Sequence, residues 1–205
     1  MKTKKFTTSQ LTILGLMAGI LFLMAYTPLG YLNIGPLAVT FNVIPVAVCA
    51  IVLGPTGGAI AGAVFGLTSF MQAIGIGGVS ALGSALFQIN PFMTAVQCFG
   101  PRILDGICIG FIYRAVHKKA NTYVSCAVTG FFSAFLNTLF FMTALIVMFG
   151  NTELIRNLMG GHNIIVGCCL MVGVNAISEM VSSTIITAAV GTALSKAHLI
   201  PQSRL

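Results

Sequence analysis

Tryptophan is absent from this chain, acidic residues number three, and charged residues of both signs make up only 6% of it. So small a charged fraction, beside 57% hydrophobic residues and a mean hydropathy of +1.02, excludes an ordinary soluble domain. The missing tryptophan disfavours a large flat ligand gripped by stacking, although phenylalanine and tyrosine could fill that role. No GxxxxGK[ST] run occurs. The glycine-rich Ile74–Gly78 lacks the lysine and the strand-to-helix setting of a phosphate loop, so no ATP site is expected. None of the six cysteines, Cys49, Cys98, Cys108, Cys126, Cys168 and Cys169, forms a CxxC pair, and no histidine stands at ligand spacing from them. They read as small packing residues of buried helices, and neither a metal nor a cofactor is expected. No hydrophilic linker divides the chain, which reads as one domain over residues 1–205.

Six long apolar stretches are present instead: Gln10 to Pro28, Leu37 to Gly54, Gly57 to Ile74, Ile89 to Val116, Tyr123 to Phe149 and Ile164 to Leu194. A helix rises about 1.5 Å per residue, so about 20 residues cross a hydrocarbon core of about 30 Å. The reading is therefore an all-α membrane protein, a bundle of six transmembrane helices. Lys2, Lys4 and Lys5 precede the first stretch, Arg114, Lys118 and Lys119 close the fourth, and Lys196 and Arg204 follow the sixth. Threaded through six spans these charges share one side, which the positive-inside rule makes the cytoplasm, with both termini there. A cleaved signal peptide is a weaker reading of the start, because five more spans follow and no small-x-small site ends the first. The net charge of +7 sits in short flanks of apolar spans. That suits an anionic lipid leaflet and not nucleic acid.

Function is expected where polarity persists inside the membrane. A charge at a helix centre costs about 2.5 to 3.5 kcal/mol, so Arg102, Asp105 and Glu179 stand out. Arg102 and Asp105 are close enough along a helix to pair with each other. Glu179 has no local partner: it takes a proton, meets Arg102 across the bundle, or points at water near the inner side. At 100° per residue, Asn90, Thr94, Gln97 and Asp105 fall within about 80° of one another on the fourth span. Ser133 and Asn137 share a face of the fifth, and Asn175, Ser178, Glu179 and Ser182 share one of the sixth. Unpaired amides are costly in hydrocarbon, so these faces turn inward together, either as interhelical glue or as a solute pocket near the outer ends of spans four to six. Small residues repeat at helical spacing on the third span (Gly58, Gly62, Gly66) and the first (Gly15, Ala18, Gly19), where backbones can approach closely.

An enzyme fits poorly. Asp105-Gly106 could open an intramembrane phosphotransferase motif, but the later aspartates that would complete its metal site are missing. His117, His162 and His198 lie at span ends or in loops without a nucleophile or acidic partner at a recognisable spacing.

The ordered motifs Thr27-Pro28-Leu29-Gly30, Ile34-Gly35-Pro36, Ile44-Pro45-Val46, Leu53-Gly54-Pro55, Phe65-Gly66-Leu67-Thr68-Ser69-Phe70, Ile89-Asn90-Pro91 and Pro101-Arg102-Ile103-Leu104 span nearly the whole chain. Together they resemble the substrate-binding S component of energy-coupling-factor (ECF) vitamin transporters, and are most similar to the pantothenate-type subfamily. The resemblance implies a multi-pass protein of a bacterial cell membrane that binds a small water-soluble vitamin from outside. A membrane coupling subunit and two cytoplasmic ATPases would power delivery, with the S component toppling in the bilayer. It also implies a docking surface on the first span, where Gly15, Ala18 and Gly19 give the nearest match to the family's AxxxA motif with glycine in place of alanine, and a ligand site formed by the first outer loop and spans four to six. Asn90, Thr94, Gln97, Asn137 and Asn175 are the expected polar partners of the ligand, with Glu179 beside them and Arg102 attracting an anionic ligand. The alternatives are an S component for riboflavin or another vitamin, a self-sufficient secondary transporter with Glu179 as its proton carrier, and an assembly protein without a ligand. A secondary transporter predicts inverted repeats between halves, and none is visible.

Overall fold

The computed structural model describes residues 7–27, 30–33, 38–77, 80–158 and 164–200. Lys2, Lys4, Lys5, His162 and Arg204 lie outside the described residues. Among the described residues, the regular structure is helical apart from one short antiparallel strand pair. In order the elements are α1 (Thr8–Ala25), β1 (Tyr31–Asn33), β2 (Ala38–Thr40), α2 (Val43–Ala73), α3 (Ala81–Ile89), α4 (Pro91–His117), α5 (Thr122–Phe149), α6 (Glu153–Leu158) and α7 (Ile164–Lys196). Among the described residues, five of these helices, α1, α2, α4, α5 and α7, are long and apolar enough to cross a membrane.

Helix starts follow local chemistry. Thr7 caps α1 through a reciprocal box with Gln10, its hydroxyl accepting from the Gln10 N–H and its own N–H donating to Gln10 Oε1. Asn90 caps α4, accepting from the Met93 N–H at 3.1 Å, and Pro91 occupies the first helical position, where its missing N–H is harmless. Asn121 caps α5 in the same way through the Val124 N–H at 2.9 Å.

Helix α2 is two helices fused at a kink. Gly54 has φ +72°, a conformation that favours glycine, and Pro55 restarts the helix behind it. The segment Val43–Leu53 is buried along its whole length by the other helices, although an all-apolar helix could equally face lipid. At about 1.5 Å per residue it is only about 16 Å long, roughly half a hydrocarbon core. The antiparallel hairpin of β1 and β2 precedes it directly, with Tyr31 opposite Thr40 and Asn33 opposite Ala38. If a helix that short is to take part in a crossing, the non-helical backbone continuing it must be buried by protein or line a cavity.

The second half of α2 packs on α4 through glycines. A Cβ placed on Gly58 would strike the Gly106 carbonyl, one on Gly106 the Gly58 carbonyl, and one on Gly62 the Arg102 carbonyl. The small residues of the third apolar stretch therefore serve contact between backbones. Gly15 and Gly19 differ: a Cβ on either meets nothing within 4 Å, and both are exposed. Helix α1 buries Ile13, Leu21 and Ala25 and leaves Leu11, Leu16 and Leu23 outward.

Three features differ from the sequence expectation. The segment between the first and second apolar stretches contains the hairpin, and the one between the third and fourth contains α3, capped by Ser80. The segment between the fifth and sixth spans contains α6.

Candidate functional site

Helices α4 and α5 run antiparallel. Gln97 Nε2 donates to the Phe141 carbonyl at 2.9 Å, and further down the pair Ser133 approaches Asp105. Asn137, midway between those two contacts, stands level with Pro101 and Arg102. Helix α7 joins from the other side of α5, with Ser183 donating to the Gly130 carbonyl at 2.8 Å. Continuing that register puts Glu179 near the level of Ser133 and Asn175 near that of Asn137. The start of α2 closes the group: Ser133 donates to the Val43 carbonyl at 3.2 Å, and Glu179 Oε1 accepts the Thr40 N–H at 2.6 Å.

These contacts bring Arg102, Asp105, Asn137 and Glu179 of the expected set toward one node, with Gln97 above it. Asp105, Gln97, Asn137, Asn175 and Glu179 are all buried. Several of their polar atoms are spoken for and several are not. Among the described residues, Gln97 Oε1, Arg102 Nε, Asp105 Oδ1 and Asn137 Oδ1 are buried without a hydrogen-bond partner. A buried polar atom left unpaired costs about 1–3 kcal/mol, so a group of them around one node is open to a further polar partner. Thr94 is buried and donates to the Asn90 carbonyl at 2.9 Å. Asn90 itself lies at the helix start, only part-buried, with its Oδ1 used as a cap.

Arg102 and Asp105 do not form the close pair that their spacing suggested. The guanidinium turns back along α4, where Nη1 donates to the Gln97 carbonyl at 2.8 Å, and lies against the rings of Phe141 at 4.8 Å and Phe65 at 5.2 Å. Cation–π contact and one carbonyl hold the fork in place while Nε remains free. Glu179 likewise has a partner, the Thr40 N–H at the end of the hairpin.

One residue of the node escaped the sequence reading. Asn42, at the start of α2, is fully buried, makes no capping hydrogen bond, and leaves both Nδ2 and Oδ1 unpartnered. The available signal was a lone amide between Phe41 and the apolar run Val43–Leu53.

A helical membrane bundle with a partly unsatisfied polar node between α2, α4, α5 and α7 has the form of a solute-binding membrane protein. Residues 9–191 match the family described as ECF transporter, substrate-specific component. The chain belongs to that family, and is thus a transporter component rather than an enzyme. It is 33% identical over 178 residues to the pantothenate transporter PanT of Leuconostoc mesenteroides, covering 83% of this chain and 81% of that protein. It is 28% identical over 208 residues to the pantothenic acid transporter PanT of Lactococcus lactis, covering 95% and 98% respectively.

Proposed function

We propose that this chain is the pantothenate-binding S component of an ECF importer in a bacterial cell membrane. The observation that carries the reading is the set of buried, unpartnered polar atoms around Arg102. Asn42 Nδ2 and Arg102 Nε offer donors, and Asn42 Oδ1, Gln97 Oε1, Asp105 Oδ1 and Asn137 Oδ1 offer acceptors. Pantothenate carries a carboxylate and an amide carbonyl to accept, and an amide N–H and two hydroxyls to donate. A guanidinium for the carboxylate and amides or a carboxylate for the hydroxyls and N–H complete each other. Asn175 stands on the same side of α7, and Asn90 and Thr94 mark the outer approach along α4. The names of the two relatives support the same ligand.

In this reading α1, the two halves of α2, α4, α5 and α7 make six membrane passes with both termini cytoplasmic. The placement of Arg114, Lys118 and Lys119 at the end of α4 and Lys196 at the end of α7 supports it. The chain has no ATPase site of its own and works with a coupling subunit and two ATPases. The open face of Gly15, Ala18 and Gly19 on α1 is the docking surface for the coupling subunit.

Isothermal titration of the purified protein against pantothenate and a panel of other vitamins tests the ligand. Pantothenate should saturate one site at submicromolar concentration. Heat with riboflavin or another vitamin alone would reassign the substrate, and silence for every compound would overturn the reading. Uptake by vesicles lacking any ATPase, driven by a pH gradient, would favour a secondary transporter instead. Docking is tested separately: Gly15→Leu with Gly19→Leu meets open space within this chain. It should leave titrated affinity within about twofold while abolishing co-purification with the coupling subunit.

A further inference from the structure

We infer that Glu179 is a positioning residue, a latch that holds the β1–β2 hairpin against α7 and, through Thr40, fixes the backbone of Asn42. The inference builds on the proposed site and assigns Glu179 a role other than contact with the ligand.

Three observations carry it. First, Glu179 is buried on α7, and its Oε1 accepts the Thr40 N–H at 2.6 Å, a contact between positions 139 residues apart in sequence. A side-chain carbonyl oxygen of this reach accepts a backbone N–H whether or not the group carries a charge. Second, Thr40 is the last residue of β2, and its hydroxyl oxygen accepts the Asn42 N–H at 3.3 Å. Glu179, Thr40 and Asn42 are thus linked in series, and the series ends on the backbone N–H of a residue whose two side-chain polar atoms have no partner. Third, strands of three residues joined by one short connection cannot stand alone, since an isolated two-stranded hairpin is marginal at best. The hairpin needs an anchor outside itself, and the Glu179 contact with β2 provides one. Arg102 lies within electrostatic reach of Glu179 but is held by the Gln97 carbonyl and two aromatic rings. The carboxylate therefore faces the hairpin rather than closing an ion pair.

A latch makes a specific demand on chemistry: it needs an acceptor oxygen at full reach and does not need the charge as such. Glu179→Gln keeps the reach and loses the charge. Glu179→Asp keeps the charge and withdraws it by one methylene, and Glu179→Ala removes both. Two readouts on the full-length protein in nanodiscs test the idea. Hydrogen–deuterium exchange of the peptide covering residues 30–42, measured without ligand, should rise about tenfold in Glu179→Ala and Glu179→Asp. It should stay within about twofold of wild type in Glu179→Gln, with exchange in α4 and α5 unchanged in all three. Release of bound radiolabelled pantothenate should follow the same ranking, with association rates little altered.

The opposite ranking, with Glu179→Asp normal and Glu179→Gln impaired, would show that charge matters and overturn the latch. So would normal exchange over residues 30–42 in a folded Glu179→Ala protein whose pantothenate affinity is lost, which would make Glu179 a direct ligand contact. If Glu179→Ala does not fold, the comparison of Glu179→Asp with Glu179→Gln decides alone. The exchange experiment needs no ligand, so failure of pantothenate to bind would count against the proposed function and leave the latch to stand or fall on exchange.

Discussion

Gly106→Val should abolish or cripple the folded protein, lowering its unfolding free energy by about 3 kcal/mol or more. A Cβ at Gly106 collides with the Gly58 carbonyl, which is backbone and cannot rotate away as a side chain can. The facing substitution Gly58→Val drives into the Gly106 carbonyl and should cost as much. Relief requires α2 and α4 to separate along the line that also carries Gly62 against Arg102, so the same change loosens the seat of Arg102. Gly100→Val on the same helix is the control, because a Cβ there meets nothing within 4 Å. It should shift stability by no more than about 0.5 kcal/mol. Unfolding in a graded mixture of denaturing and mild detergent reads the difference, and equal stability of Gly106→Val and Gly100→Val would refute the interface.

Much of this architecture is legible in the chain because lipid imposes simple demands. Backbone polar groups must be satisfied locally, so long apolar runs become helices, and small residues at intervals of four mark where two of them touch. Gly58, Gly62 and Gly66 are visible on that rule, whereas the enclosed position of Val43–Leu53 is not, because an apolar helix suits lipid as well as protein. Asn90-Pro91 announces a helix start, a cap followed by a proline, although hydropathy alone carries the span back to Ile89. What stays hidden depends on contacts between distant positions. The hairpin is too short and too apolar to show an alternating pattern. The partner of Glu179 is a backbone N–H, and every non-proline residue has one, so no side chain advertises it. The spacing of Arg102 and Asp105 suggests a local pair, yet Phe65 and Phe141, on two other helices, give the guanidinium a different seat. Asn42 escapes because a single amide beside an apolar run carries no periodicity, and its isolation is visible only once Ser133 and the start of α2 are seen together.

Arg102→Gln should weaken pantothenate binding by about 100-fold, or about 2.7 kcal/mol, the size expected for loss of a buried charge-assisted hydrogen bond. The geometry explains why the loss should fall on binding rather than folding. The guanidinium already spends Nη1 on the Gln97 carbonyl and rests on two aromatic rings, which fix its plane before any ligand arrives. An oriented fork pays less entropy per new hydrogen bond than a free one. Arg102→Lys keeps the charge but not the planar fork and should lose about tenfold. Pantothenol, in which a neutral alcohol replaces the carboxylate, completes a double-mutant cycle. If Arg102 receives the carboxylate, wild type should bind pantothenol about as weakly as Arg102→Gln binds pantothenate, and Arg102→Gln should discriminate little between the two ligands. Equal losses for both ligands in Arg102→Gln, with the wild-type preference for pantothenate preserved, would place the carboxylate elsewhere. Arg102 would then serve only to join α4 to Phe65 and Phe141.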